Sequence, residues 1–106
     1  MLIIGSGNIV HHLGLVDWRN FDQDDYGYDW AIEAKNSINN YMKAGNFQPL
    51  IAYENQSNAF KLAIPSPDHF LPLIYTLALK RKDDSLVLFN DKLVAGSLSM
   101  TCCKIG

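Results

Sequence analysis

The stretch Ile3–Gly14, IIGSGNIVHHLG, decides how the chain is read: an apolar run stops at a Gly-Ser-Gly turn, and two adjacent histidines follow. Leu2 to Ile4 is continuously apolar and holds two β-branched residues, the pattern of a strand covered on both faces, as in a parallel sheet. Strands of that kind gather functional side chains at their C-terminal ends. The turn could build a phosphate cradle, a metal centre, a proton-transfer residue, or only a tight bend with polar neighbours.

A dinucleotide fingerprint needs three glycines and a helix starting on the loop. Gly5 and Gly7 fit, but Val10 stands where the third glycine belongs, and no second strand ending in an acidic residue follows. A small-ligand or nucleotide binder using the Gly5–Gly7 loop is therefore a minor reading. Ser6 lies between glycines without the Gly-x-Ser-x-Gly elbow of a serine hydrolase.

Outward from this stretch, the residues up to Gly27 are irregular and end in the acidic, turn-prone run NFDQDDYG. Asp29 can cap a helix whose Trp30, Ala34, Ile38, Tyr41 and Met42 recur at helical spacing and which Gly45 and Asn46 end. Two short helices follow, one with Pro49 in its first turn and one capped by Ser57. In IPSPDHFLPLIYTLALKR, Ser66 is expected to cap a further helix with Pro67 at its first position. Phe70, Leu73, Ile74 and Leu77 would then form its apolar face. In that register Pro72 falls beyond the first turn and should bend the helix, unless the helix starts one turn later. The tail reads as strands: SLVLF, a turn at Asn90 and Asp91, then the alternating KLVAGSLSMTCCKI. One face of that alternation is mostly apolar. The other (Ala95, Ser97, Ser99, Thr101, Cys103) is small enough for a neighbour to approach closely.

Composition bounds the function. The 106 residues, 48% of them hydrophobic, suit one domain with a modest core. A net charge of −2 gives no nucleic-acid footprint, and the Lys80–Lys82 cluster reads as cations at a helix C-terminus. The start carries no basic n-region, and its apolar run is too short for a signal peptide or a membrane span. Cys102 and Cys103 are adjacent, so on a strand they point apart and read as free thiols in a reducing, cytoplasmic setting.

Three histidines remain: His11, His12 and His69. His69 in the first turn of its expected helix would sit where neutral imidazole, the form that binds metals, is favoured. His11 and His12 would point in different directions if extended, so at most one joins His69. Two histidines do not complete a catalytic zinc site or a facial triad. Asp17, Glu54 and Asp68 are the available carboxylates, and no spacing singles one out.

Five segments, SGNIVHHL (Ser6–Leu13), LVDW (Leu15–Trp18), YDWA (Tyr28–Ala31), PSPDHFLPLIYTL (Pro65–Leu77) and GSLSM (Gly96–Met100), occur in the order found in class III extradiol ring-cleavage dioxygenases. The chain resembles the C-terminal portion of that family, in the subgroup similar to 4,5-DOPA extradiol dioxygenase. The resemblance implies an α/β fold with a central sheet, here helices between an N-terminal strand and C-terminal strands, forming one partial catalytic domain over residues 1–106. It implies a mononuclear Fe(II) or Zn(II) site and a catechol-type substrate opened with O2. His11 would be an acid–base residue at the metal and a possible ligand, and His69 a metal ligand. His12 stands where the subgroup usually has asparagine and inherits no role. The family's earlier His-Gly-Ser-Pro and Ser-Ala-His-Trp motifs, which carry further ligands, are absent from this sequence. The chain is thus expected to be a C-terminal segment, inactive alone, that needs an N-terminal half or associates with itself. The alternative is a non-catalytic α/β self-association or interaction module.

Overall fold

Residues 8–12, rather than Leu2–Ile4, supply the strand-like piece of the N-terminal region. In the computed structural model, which describes all 106 residues, Leu2, Ile3 and Ile4 pair with nothing and are exposed, whereas Ile9 and Val10 are buried. The backbone from Val10 to His12 runs antiparallel to the segment around Leu98. Ser99 N–H donates to the Val10 carbonyl and His12 N–H to that of Ser97. The expected strand at Leu2–Ile4 fails because no neighbour in the chain offers it a ladder. Backbone groups without partners stay in water.

Helix α1 (Asp29–Ala44) matches its spacing closely. It ends at Gly45, whose left-handed backbone closes onto the carbonyls of Tyr41 and Met42. Tyr28 rather than Asp29 is the cap residue, and Asp29 contributes its charge to the first turn instead. The buried stripe is Ala31, Ala34, Ile38, Asn39 and Met42, which leaves Trp30 on its shoulder. Helices α2 (Gln48–Ile51) and α3 (Asn58–Ala63) are short, and α3 packs along α1. At this length packing alone holds them. Leu50 and Phe60 join Ile38, Met42, Phe70, Leu77 and Leu93 in one apolar core.

Helix α4 spans Leu71–Ala78, one turn later than its cap signals suggest. Ser66–Phe70 form turns, with Phe70 and Leu71 N–H donating to the Pro67 carbonyl. Pro72 consequently lies in the first turn, where its missing N–H costs nothing and no bend is required. The Lys80–Lys82 cluster follows the helix end rather than occupying its last turn.

The tail forms two antiparallel pairs instead of one long strand and a central sheet. Strand β1 (Leu86–Phe89) pairs with β4 (Cys102–Ile105), and β2 (Leu93–Val94) with β3 (Leu98–Ser99). The continuous alternation breaks because Ala95 and Gly96 both adopt positive φ, turning the chain between Val94 and Leu98. The small face is the buried one: Ala95, Ser97 and Ser99 have no exposure above 1%. Their size lets residues 8–12 and 26–28 approach, and a Cβ at Gly96 would strike the Tyr28 ring. The fold is mixed α/β. No helix is long and apolar enough to cross a membrane.

Candidate active site

Residues 8–12 lie between β3 on one side and the α3–α4 connection on the other, and this placement brings two of the three histidines together. His11 N–H donates to the Ala63 carbonyl at 2.9 Å. Three residues earlier, Asn8 N–H donates to the His69 carbonyl at 2.7 Å. With both loops anchored, the His11 and His69 rings stack at 3.6 Å between centroids, 14° from parallel. His11 is half-buried and His69 exposed at the end of a groove of about 530 Å³ between the N-terminal segment, α4 and β4.

Burial first, and the neighbouring His69 imidazole second, hold the His11 pKa below the ordinary histidine value. Both effects favour the neutral imidazole, the form with a free lone pair. His12 points elsewhere, its ring edge-on to Trp30 and its Nδ1 buried without a hydrogen-bond partner.

The carboxylates considered from sequence have other partners. Asp17 accepts from Arg19 N–H, from the Asn20 amide at 2.7 Å and from the Tyr26 hydroxyl, which organises the loop before α1. Those hydrogen bonds, the Asn20 amide foremost, hold its carboxyl below the usual range. Asp68 accepts from Ser66 and Glu54 from Tyr53. No three His, Cys, Asp or Glu side chains gather where they could hold a metal ion.

The donor chemistry nevertheless suits part of a metal site. Imidazole is a ligand for both ferrous iron and zinc. Its lone pair lies in the ring plane, so two nearly parallel stacked rings do not converge on one ion about 2.0–2.1 Å from each. The arrangement fits one ligand beside one proton-transfer residue better than two ligands to one ion.

Sequence reasoning treated the glycines as the end of a strand and missed what they do here. A Cβ on Gly7 would collide with the His69 carbonyl, and one on Gly5 would meet the Thr76 hydroxyl and the Pro72 carbonyl. Residues 5–7 form no turn; the Gly-Ser-Gly segment is the surface on which the His69 loop and α4 rest. Two glycines one residue apart, with an apolar segment to follow, were the available signal for such a close approach.

No protein-family model matches the sequence. The whole chain is similar to the C-terminal portion of 4,5-DOPA dioxygenase extradiol of Escherichia coli (strain K12), at 32% identity over 113 aligned positions. The match takes up 39% of that protein. The fold is also similar to the crystal structure of an uncharacterized protein from Escherichia coli K12, with a TM-score of 0.74 and 33% identity. That likeness covers 95% of this chain and 41% of the other. The chain spans about two-fifths of the length of the relatives it matches.

Proposed function

We propose that this chain carries the C-terminal part of an extradiol ring-opening dioxygenase site, with a catechol as substrate, His69 as a metal ligand and His11 as the acid–base residue beside it. The observation that carries the reading is the His11–His69 stack, built from two segments distant in sequence and held by backbone hydrogen bonds on both sides. The similarity to a dioxygenase over the full length of the chain supports the reaction class.

His11 and His69 are the residues that would meet the ion and its substrate. Ferrous iron, when bound, would supply Lewis acidity toward the catechol oxygens and the redox capacity that O2 chemistry requires, whereas zinc would supply the first alone. His11, whose pKa lies below the ordinary histidine value, would accept a proton from a catechol hydroxyl made more acidic by the bound ion and could return it later in the reaction. Its backbone bond to Ala63 keeps the ring facing His69. A cytoplasmic setting agrees with the free thiols of Cys102 and Cys103.

With His69 as the ligand from this chain, two of the usual three protein ligands are still to be supplied. The remaining donors would come from a polypeptide equivalent to the part of the relatives outside the match. The test mixes this chain with the separately produced N-terminal portion of the Escherichia coli relative, adds ferrous iron and catechol, and follows O2 uptake. Uptake by the mixture, absent from either part alone and from a His69→Ala mixture, is the expected result. A complex that forms and loads iron yet leaves catechol intact would overturn the assignment.

One observation favours the non-catalytic alternative. Leu2, Ile4, Val87 and Phe89 are all more than half exposed. Apolar surface of this kind drives association. A concentration-dependent oligomer that persists when the N-terminal portion is supplied would favour that reading.

A further inference from the structure

We infer that Asn8 is the positioning residue of the histidine pair, the side chain that sets the separation of the His11 and His69 rings. Its backbone and its side chain hold different parts of the molecule. The N–H donates to the His69 carbonyl at 2.7 Å, and the side-chain amide donates to the Ser99 carbonyl of β3 at 2.6 Å. One residue therefore fastens the His69 loop to the strand beside which His11 lies.

The neighbouring contacts make this clamp effective. Gly7 removes the side chain that would push the His69 carbonyl away, so the loop closes fully onto Asn8. Ser99 is itself fixed: its N–H donates to the Val10 carbonyl, and its hydroxyl contacts Thr101, which donates to Asp91. His11 follows Val10 directly and is tied to Ala63. His11 is thus tied to β3 through Val10, and Asn8 is the hydrogen-bonded path from β3 to the His69 loop. The effect of the clamp is geometric, because a gap of about 0.5–1 Å forfeits a quarter to a half of a dispersion contact. The functional consequence rests on the reading of His11 and His69 as the working pair, but the geometric claim does not.

The test compares Asn8→Ala and the isosteric Asn8→Asp with Thr101→Ala, which removes the bonds of the Thr101 hydroxyl to Asp91 and to the Ser99 hydroxyl but leaves both Asn8 hydrogen bonds in place. The readouts are melting temperature and the inter-ring nuclear Overhauser effects between His11 and His69 ring protons at one fixed pH, on the metal-free chain. Asn8→Asp keeps the shape but replaces the donor by an acceptor facing the Ser99 carbonyl. Both Asn8 variants are expected to lose the inter-ring signals while Thr101→Ala, with a comparable fall in melting temperature, retains them. If Asn8→Ala does not fold, Asn8→Asp decides by the same signals. Retention in a folded Asn8 variant, or equal loss in Thr101→Ala, overturns the inference and leaves Asn8 a general stabilising residue. Neither metal nor catechol enters this experiment, so its failure is distinct from a failure of ring cleavage in the complemented mixture.

Discussion

Gly7 lies against the carbonyl of His69 so closely that any side chain at position 7 must displace the loop carrying that histidine. Gly7→Ala is therefore expected to cost about 1–3 kcal/mol, the usual range for forcing atoms into a filled space. It should also abolish the His11–His69 ring contact. Gly45→Ala is the comparison: nothing lies within 4 Å of its added methyl, but the backbone there is left-handed at φ +69°. Its cost, about 1–2 kcal/mol, should be confined to the end of α1 with the histidine pair intact. Melting curves and histidine ring-proton spectra separate the two.

Asn39 and Asp91 form the polar joint between α1 and the strands. The Asn39 amide donates to both Asp91 oxygens at 3.0 and 2.9 Å, Thr101 donates at 2.6 Å, and the Lys35 ammonium lies 3.5 Å away. Burial alone would raise the Asp91 pKa, but the Thr101 and Asn39 hydrogen bonds and Lys35 outweigh it and leave the carboxyl below its ordinary value. A lowered folded-state pKa means the unfolded chain binds the proton more readily. The stabilisation is complete above the unfolded value of about 3.9 and is lost as pH falls through the lower folded one. Stability measured by urea unfolding should thus decline in acid. Asp91→Asn should flatten that decline, and Asn39→Ala should cost about 1–3 kcal/mol at neutral pH by removing two charge-assisted bonds.

The residue pattern carried α1 more plainly than the strands, and it left open which of His11 and His12 meets His69; the family resemblance pointed to His11, whose ring stacks on His69. The helical spacing from Trp30 to Met42 and the stop at Gly45 are local signals, and packing did not override them. Leu2–Ile4 misled because an apolar run shows the capacity for a buried strand but not whether a partner strand exists in the same chain. The onset of α4 slipped by a turn because Ser66–Pro67 and Phe70–Leu71–Pro72 are both acceptable helix starts, and Pro72 fits better at the second. The split of the last strand at Ala95 could not be read from alternation, since a non-glycine residue at positive φ is exceptional. Asn39 in the buried stripe pairs with Asp91, and no local pattern marks two polar residues 52 positions apart as partners.

Leu2, Ile4, Val87 and Phe89 expose apolar side chains on or near the walls of the groove. Replacing exposed residues rarely changes stability by more than about 0.5 kcal/mol. Ile4→Lys with Phe89→Lys is therefore expected to leave the melting temperature nearly unchanged while reducing self-association in sedimentation experiments. It should equally weaken capture of the N-terminal portion of the Escherichia coli relative. Loss of self-association with unchanged capture would place the two contacts on different surfaces.

The proposed roles of His11 and His69 are unequal, and metal content measured beside turnover distinguishes them in the complemented assembly. If His69 is the ligand, His69→Ala removes a first bond to the ion, and both bound metal and ring cleavage should fall together. If His11 moves the proton, His11→Gln leaves the backbone bond to Ala63 in place but offers no titratable nitrogen. Metal content should then remain close to that of the unaltered assembly while turnover drops about 10²–10⁴-fold, the usual contribution of a positioned acid–base group. The near-parallel rings favour this split, because their in-plane lone pairs do not meet at one ion. Equal loss of metal in both variants would mean that the rings swing apart on binding and that His11 is a ligand as well.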